Sequence, residues 1–421
     1  VRPNIAAFQI RGPKMHPAAY IPPDHRRHDI DALRALAFLF VILYHVGMYY
    51  VAGWHWHLKS PHEAEWLRWP MAMLNLWRMD LVFLISGVSL GFLSRGQGTW
   101  ALLRSRGLRL MLPLAFGMAV IVPYQAYAQG VANGMVGPGF GAFLLRYLSM
   151  SAPWPKQAFD GAEFGITWNH LWYLPYLFTY TAIVALTLPL WKSAAGQRVR
   201  RGFNGLRGWK LLLLPAVPLL LWTMLLASRF PATHNLVRDF HLHSIYFTMF
   251  LYGYWMGVDT GVWKELARLR RVSLASALAV IATFFALRAV TSGPPSGLSM
   301  DVLRVLYLWL TVSAILGYGH RYLNRPWPWL RWANESVYPW YVLHQTLIII
   351  GAVLLAPLAL GPVVEPALLM ALTIFGCWAL TDGLVRRVNF LRPLFGLKLR
   401  RPASRQPLPP EPEWRSPSPR A

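Results

Sequence analysis

The sequence predicts an all-α fold, a polytopic transmembrane helical bundle of about ten helices. Three observations predict it. Apolar residues make up 55% of the 421 residues and charged residues only 14%, with a mean hydropathy of +0.35. Soluble chains average about 25% charged residues, and so much apolar surface would outrun the polar surface needed to cover a water-soluble core. Secondly, ten stretches are mostly apolar over the roughly 20 residues that span a bilayer: 30–52, 71–94, 108–128, 168–190, 210–228, 243–258, 273–290, 301–320, 336–357 and 364–385. Thirdly, the basic residues alternate between the connections. Of the Lys and Arg, 29 fall in the terminal and connecting segments on one side of the spans and six in the five opposite loops.

That bias sets the orientation, because Lys and Arg concentrate on the cytoplasmic face. Both termini are expected inside, and loops 53–70, 129–167, 229–242, 291–300 and 358–363 outside. The predicted organisation is a cytoplasmic extension over 1–29, a membrane domain over 30–385, and a basic, proline-rich cytoplasmic tail over 386–421 whose composition predicts disorder. Residues 1–29 hold no apolar h-region, so no cleavable signal peptide is expected. The net charge of +24 lies between apolar segments rather than on one soluble face, which argues against nucleic-acid binding. The bilayer is the expected partner.

The first stretch contains Asp31, Arg34 and His45 in DALRALAFLFVILYH. Arg34 and His45 are eleven residues apart, so they share a helix face to within about 20° and are separated by about 16 Å along the axis. Asp31, three residues before Arg34, is placed to pair with it. Ionisable groups within spans are expensive and mark functional sites, although an Asp–Arg pair at a helix start also suits anchoring at the headgroups. The second stretch carries Arg78 and Asp80, two apart and so facing different directions. Its Ser86-Gly87 pair reads as close helix packing rather than a nucleophile.

Before the third stretch, RSRGLRLMLP sets Arg104, Arg106 and Arg109 at the cytoplasmic mouth. These are either positive-inside charge or a site for an anionic cofactor, since guanidinium pairs well with phosphate. The 129–167 loop is either a cover over a site or a surface loop. NHLWYLPY then places His170 and Trp172 at the outer start of the fourth stretch, as a substrate contact or part of an interfacial aromatic belt. The fifth stretch is plainly apolar, the sixth is short, and the eighth opens on Asp301 and Arg304. NESVYPWYVLHQ brings Glu335 and His344 into the ninth. Cys377 in the tenth is the single cysteine, so no intrachain disulfide forms. No CxxC or HExxH occurs, and His55 and His57 lack a clear third ligand, so no metal site is expected. No GxSxG elbow or phosphate-binding glycine loop occurs either.

Taken in order, these pieces resemble the acyltransferase-3 family of bacterial integral-membrane O-acyltransferases. The matching residues are Asp31-x-x-Arg34 with His45 after ten further residues, Arg78 with Phe83-Leu84-Ile85-Ser86-Gly87, and Arg106-x-x-Arg109. Leu251-Tyr252-Gly253-Tyr254 and Tyr338-Pro339-Trp340-Tyr341-Val342-Leu343-His344-Gln345 complete the set. Arg78-Met79 and His170-Leu171-Trp172 look most like the branch that succinylates periplasmic glucans. The resemblance implies transfer of an acetyl or succinyl group from cytoplasmic acyl-CoA to a hydroxyl of a periplasmic or cell-surface glycan. In that scheme His45 is the general base and Asp31 orients Arg34. Arg106, Arg109 and Arg78 hold the donor, His170 and Trp172 meet the acceptor, and His344 is a further catalytic candidate. The rival reading is a transporter or flippase for a polar or lipid-linked glycan, which would use the same buried charges as a substrate path. A non-catalytic subunit of a glycan-export complex is the third. A transporter moves substrate without consuming an acyl donor; an acyltransferase consumes it.

The orientation is directly testable. With Cys377 replaced, single cysteines in the 129–167 and 192–209 loops should label oppositely with a membrane-impermeant reagent. The first should react from the periplasm and the second only after permeabilisation. Periplasmic labelling of 192–209 would reverse the assignment.

Overall fold

The computed structural model describes residues 27–150, 154–257, 259–290 and 297–400. The N-terminal extension through residue 26 and the tail from residue 401 lie outside the described residues. Helices follow one another as α1 (His28–Tyr50), α2 (Arg68–Asn75), α3 (Arg78–Leu93), α4 (Thr99–Phe116), α5 (Pro123–Ala132) and α6 (Phe140–Ser149). Next come α7 (Tyr173–Leu186), α8 (Leu188–Lys192), α9 (Ala194–Asn204), α10 (Trp209–Leu213), α11 (Ala216–Leu226) and α12 (Phe240–Met256). The set closes with α13 (Thr260–Val290), α14 (Leu298–Tyr322), α15 (Trp329–Leu355), α16 (Gly361–Leu380) and α17 (Leu391–Leu394). Among the described residues there is no β-strand, only an isolated bridge between Val51 and Ala64.

All ten predicted stretches are helical, and the chain is a polytopic helical membrane protein. Seven of the helical segments are long and apolar enough to cross a bilayer, and α4 with α5, joined at a 42° bend, would make an eighth. The remaining two, α7 and α12, are shorter: α7 has 14 residues and α12 has 17. The helices also overrun the apolar stretches. α13 begins at Thr260, well before the predicted 273, because Lys264, Arg268, Arg270 and Arg271 ride on a continuous helix whose other face buries Val262, Trp263, Leu266 and Leu269. Hydropathy reports where lipid begins; the backbone has no reason to stop there.

Two breaks have identifiable causes. The chain between α4 and α5 passes through a π-turn at Gly117–Ile121 before Pro123, whose missing N–H cannot continue the ladder. α3 begins afresh at Arg78 because Trp77 leaves the helical region, with φ −132° and ψ −16°. The assignment of residues 386–421 to a disordered tail fails for its first part. Arg392 is buried and its Nε donates to the Lys398 carbonyl at 2.7 Å, while Phe395 is buried and meets Phe116 edge-on at 5.3 Å. The apolar contact on the α4 side outweighs a basic, proline-containing composition.

The bundle centre is the contact of α3 with α12. Gly87 and Gly91 on α3 face Gly253 and Gly257 on α12. A Cβ at Gly87 would lie 1.9 Å from the Phe250 carbonyl oxygen, and one at Gly253 would lie 1.9 Å from that of Leu84. Only glycine allows the backbones so close. Since Gly87 meets Phe250 and Gly91 meets Tyr254, the two helices run parallel, as the predicted second and sixth spans should. Loops 53–70, 129–167 and 229–242 and the start of α14 meet around one cavity. The 192–209 loop lies at the other end, where Asn204 Nδ2 donates to the Trp255 carbonyl (2.9 Å) and the Gly208 N–H to Glu265 Oε1 (2.7 Å).

Gly253→Ala should therefore lower the melting midpoint of the purified protein by the equivalent of about 1–3 kcal/mol, the usual cost of overpacking. Gly202→Ala on α9, where an added Cβ meets nothing within 4 Å, should not lower it. Equal melting of the two variants would refute the close contact.

Candidate active site

α1 and α15 pack side by side and bring two of the predicted histidines into direct contact. His45 Nδ1 lies 2.8 Å from His344 Nε2, and the rings stack with centroids 5.0 Å apart and planes 20° apart. The bonds around them fix the protons. His344 Nδ1 faces two main-chain oxygens, of Tyr341 at 2.8 Å and of Trp340 at 3.1 Å. Carbonyl oxygens only accept, so His344 Nδ1 carries hydrogen. In the neutral ring its Nε2 then accepts, His45 Nδ1–H donates to it, and the lone pair of the first-span histidine is left on Nε2. His45 lines the cavity. A half-buried imidazole with one nitrogen anchored and the other unprotonated is the arrangement a general base requires.

His170 joins this group, its ring edge-on to His344 at 5.0 Å. Both its nitrogens are engaged: Nε2–H donates to the carbonyls of Tyr341 (3.1 Å) and Val342 (3.2 Å), and Nδ1 accepts from Gln125 Nε2 (3.3 Å). Tyr341 Oη returns a bond to the His170 carbonyl at 2.7 Å. His170 thus clamps the turn before α7 to α15, and it has no free nitrogen for chemistry. Trp172 forms cavity wall, its ring 4.3 Å from that of His234 and 5.9 Å from Tyr246. Burial holds the His234 imidazole below its usual range, and nearby Asp239 opposes the shift.

The cavity has a volume of about 1040 Å³ and is bounded by Trp56, Trp168, Trp172 and Tyr246 with Arg78 and Asp80. The 129–167 loop supplies Asp160, Glu163, Phe164 and Ile166 to its wall, which decides between a cover and a surface loop. That loop has a core of its own, formed by Phe143, Tyr147, Trp154 and Phe159.

Arg34 lies near the opposite end of α1. It pairs with Asp31 at 3.5 Å and donates from Nη2 to Ser89 Oγ at 2.5 Å. Arg106 and Arg109 lie close enough for all three guanidiniums to feel one another's charge, with the Tyr173 and Tyr338 hydroxyls beside them. Arg106 Nε is buried without a hydrogen-bond partner. Three cations against one neighbouring carboxylate is a ready-made anion site. Arg78 does not belong to it: eleven residues before Ser89 on α3, it lines the cavity instead. Between the two ends, Phe38, Tyr173 and Tyr341 form an aromatic layer with ring centroids 5.5–6.2 Å apart. Tyr173 Oη is held by Ser86 Oγ at 2.6 Å, so the Ser86 hydroxyl serves packing.

Residues 27–382 of the chain match the family model described as an acyltransferase domain, that of acyltransferase-3. It belongs to the acyltransferase-3 family. No curated protein and no solved structure matched the chain. The acyltransferase domain therefore spans α1 to the end of α16 and includes the paired histidines, the arginine group and the cavity.

Sequence reasoning missed the polar chain beside the acyltransferase histidines. His57 Nδ1 lies 2.9 Å from Gln129 Oε1 and 3.2 Å from Asp160 Oδ2, and its Nε2 accepts from Gln345 Nε2 (2.8 Å). Gln345 also donates to Gln125 Oε1 (3.0 Å). The available signal was two glutamines at i and i+4 in an apolar stretch, where an unpartnered amide is costly. Glu335, noted with His344, pairs with Arg386 at 3.0 Å and ties the start of α15 to the chain just past α16. Among the described residues, no group of three or more His, Cys, Asp or Glu side chains is disposed to hold a metal ion.

Proposed function

We propose that this acyltransferase moves an acetyl or succinyl group from cytoplasmic acyl-CoA to a hydroxyl of a periplasmic or cell-surface glycan. We assign it to the glucan-succinylating branch on the Arg78-Met79 and His170-Leu171-Trp172 segments, and to the bacterial inner membrane with both termini cytoplasmic. The observation that carries the reading is the hydrogen bond from His45 Nδ1 to His344 Nε2, at 2.8 Å, with His344 held by main-chain oxygens. The unprotonated His45 Nε2 takes the proton of the acceptor hydroxyl as its oxygen attacks the thioester carbonyl. The C–S bond breaks, the thiolate of CoA leaves, and the proton passes to it. His344 steadies the intervening imidazolium by accepting its Nδ1–H. Arg34, Arg106 and Arg109 hold the donor's phosphates, and Asp31 orients Arg34. The acyl-bearing arm reaches His45 by passing the Phe38–Tyr173–Tyr341 layer. The cavity at the far end receives the glycan, with Trp172 as a stacking face.

Two predictions test this. In purified protein, His45→Ala should lower acyl transfer by about 10²–10⁴-fold, the scale of a positioned base, while still binding CoA. Arg34→Lys should lose donor binding, turnover or both, because lysine keeps the charge but not the planar fork. Full transfer by His45→Ala would remove it as the base and bring His344 forward. Substituting Arg106 and Arg109 together should raise the KM for acyl-CoA and leave part of kcat. Unchanged donor affinity in a correctly inserted double variant would reduce both to orientation signals.

A further inference from the structure

The cavity wall contains a pair of charged groups that the transfer chemistry above does not use. Its other paired charges are satisfied: Asp160 meets His57 at 3.2 Å and Asp301 meets Arg304 at 3.4 Å. Arg78 and Asp80 differ. Their exposures are 9% and 4%, and both line the cavity. Arg78 Nε and Asp80 Oδ1 are buried with no hydrogen-bond partner. The guanidinium is nonetheless fixed, with Nη2 donating to Asn75 Oδ1 at 3.0 Å and its plane over the Tyr44 ring at 3.6 Å. Tyr44 in turn packs edge-on to His45, 5.9 Å between rings.

One unpartnered N–H donor and one unpartnered carboxylate oxygen, on two side chains that line the cavity, make a specific demand on whatever fills it. A cation would be repelled by Arg78 and an anion by Asp80. A neutral group that both accepts and donates meets the demand, and adjacent sugar hydroxyls do so: one accepts from Arg78 Nε–H and its neighbour donates to Asp80 Oδ1. The rings of Trp172 and Tyr246, 5.9 Å apart and 23° from parallel, offer the apolar face that a pyranose needs. We propose that Arg78 and Asp80 form the acceptor subsite, binding a pair of adjacent hydroxyls on a neutral sugar residue beside His45. This rests on the reading of the cavity as the acceptor side and assigns Arg78 to the acceptor rather than the donor.

The test uses the full-length protein in lipid nanodiscs. Equilibrium binding of tritiated cellobiose, lactose and mannobiose is measured alongside CoA binding. The wild type should bind at least one of these neutral disaccharides. Asp80→Ala and Arg78→Gln should each bind it at least tenfold more weakly, with CoA affinity unchanged. That unchanged affinity also certifies the fold. If either fails to insert, Asp80→Asn and Arg78→Lys serve, with the same expected loss. A monodeoxy analogue lacking one hydroxyl of the pair should bind the wild type at least tenfold more weakly than the parent sugar. Asp80→Ala should no longer discriminate, because a site built for a hydroxyl penalises its absence only while its own partner remains. Binding of none of the three sugars, equal binding by the variants, or loss of CoA affinity in Arg78→Gln would overturn the proposal. Sugar binding without acyl transfer would instead sink the catalytic reading alone.

Discussion

Every imidazole nitrogen buried in an apolar bundle needs a partner or a purpose, and this constraint organises the molecule. An unpaired polar group away from water loses its hydration with nothing in return. α15 satisfies it for His344 through the carbonyls of Trp340 and Tyr341, and for His170 through those of Tyr341 and Val342. His45 is satisfied through His344 on one side only. His45 lines the cavity, and its Nε2 is left without a partner from these three rings. In the reading proposed above, this nitrogen is the one that takes the acceptor's proton.

The second constraint is separation. Arg34 and His45 share a helix yet lie at different ends of the site, with Phe38 between them in sequence and Tyr173 and Tyr341 against it in space. In the proposed reading, an anion held by the arginines and a sugar held in the cavity are thereby kept apart by one layer of rings. Aromatic side chains suit that position because they pack edge to face without polar demands, while the Tyr173 hydroxyl keeps a partner in Ser86. Water crossing such a layer finds few hydrogen-bond partners, which protects a reactive thioester from hydrolysis in the reading proposed above.

Most of the fold was legible because lipid imposes it. Apolar length identified all ten helical stretches, and the parallel run of α3 and α12 agrees with their order. The bend at Gly117–Ile121 was not legible, since a π-turn has no composition signal before Pro123 supplies one. Nor was the ordered stretch around Arg392 and Phe395, whose burial depends on Phe116, far away in sequence. At the site, helical arithmetic placed Arg34 and His45 on one face, and structure brought His344 and His170 to it. Arg78 was grouped with Arg106 and Arg109 by charge alone; distance along α3 separates them. His57, Gln125 and Gln345 were hidden because each is unremarkable locally and acquires meaning only from partners on other helices.

α3 links these parts mechanically. Its first turn carries Arg78 and Asp80 in the cavity, its middle holds Tyr173 through Ser86, and Ser89 receives Arg34. Its glycines meanwhile lock it against α12 at main-chain contact. A helix fixed this tightly cannot rotate or slide by even a fraction of a turn without driving Leu84 and Phe250 carbonyls into new clashes. The cavity-lining Arg78 and Asp80, the aromatic layer and the arginine end are therefore held in one register by a single rigid element. In the proposed reading, any motion that admits a donor arm comes from the other walls, and α4 leads into the irregular backbone of the π-turn at Gly117–Ile121.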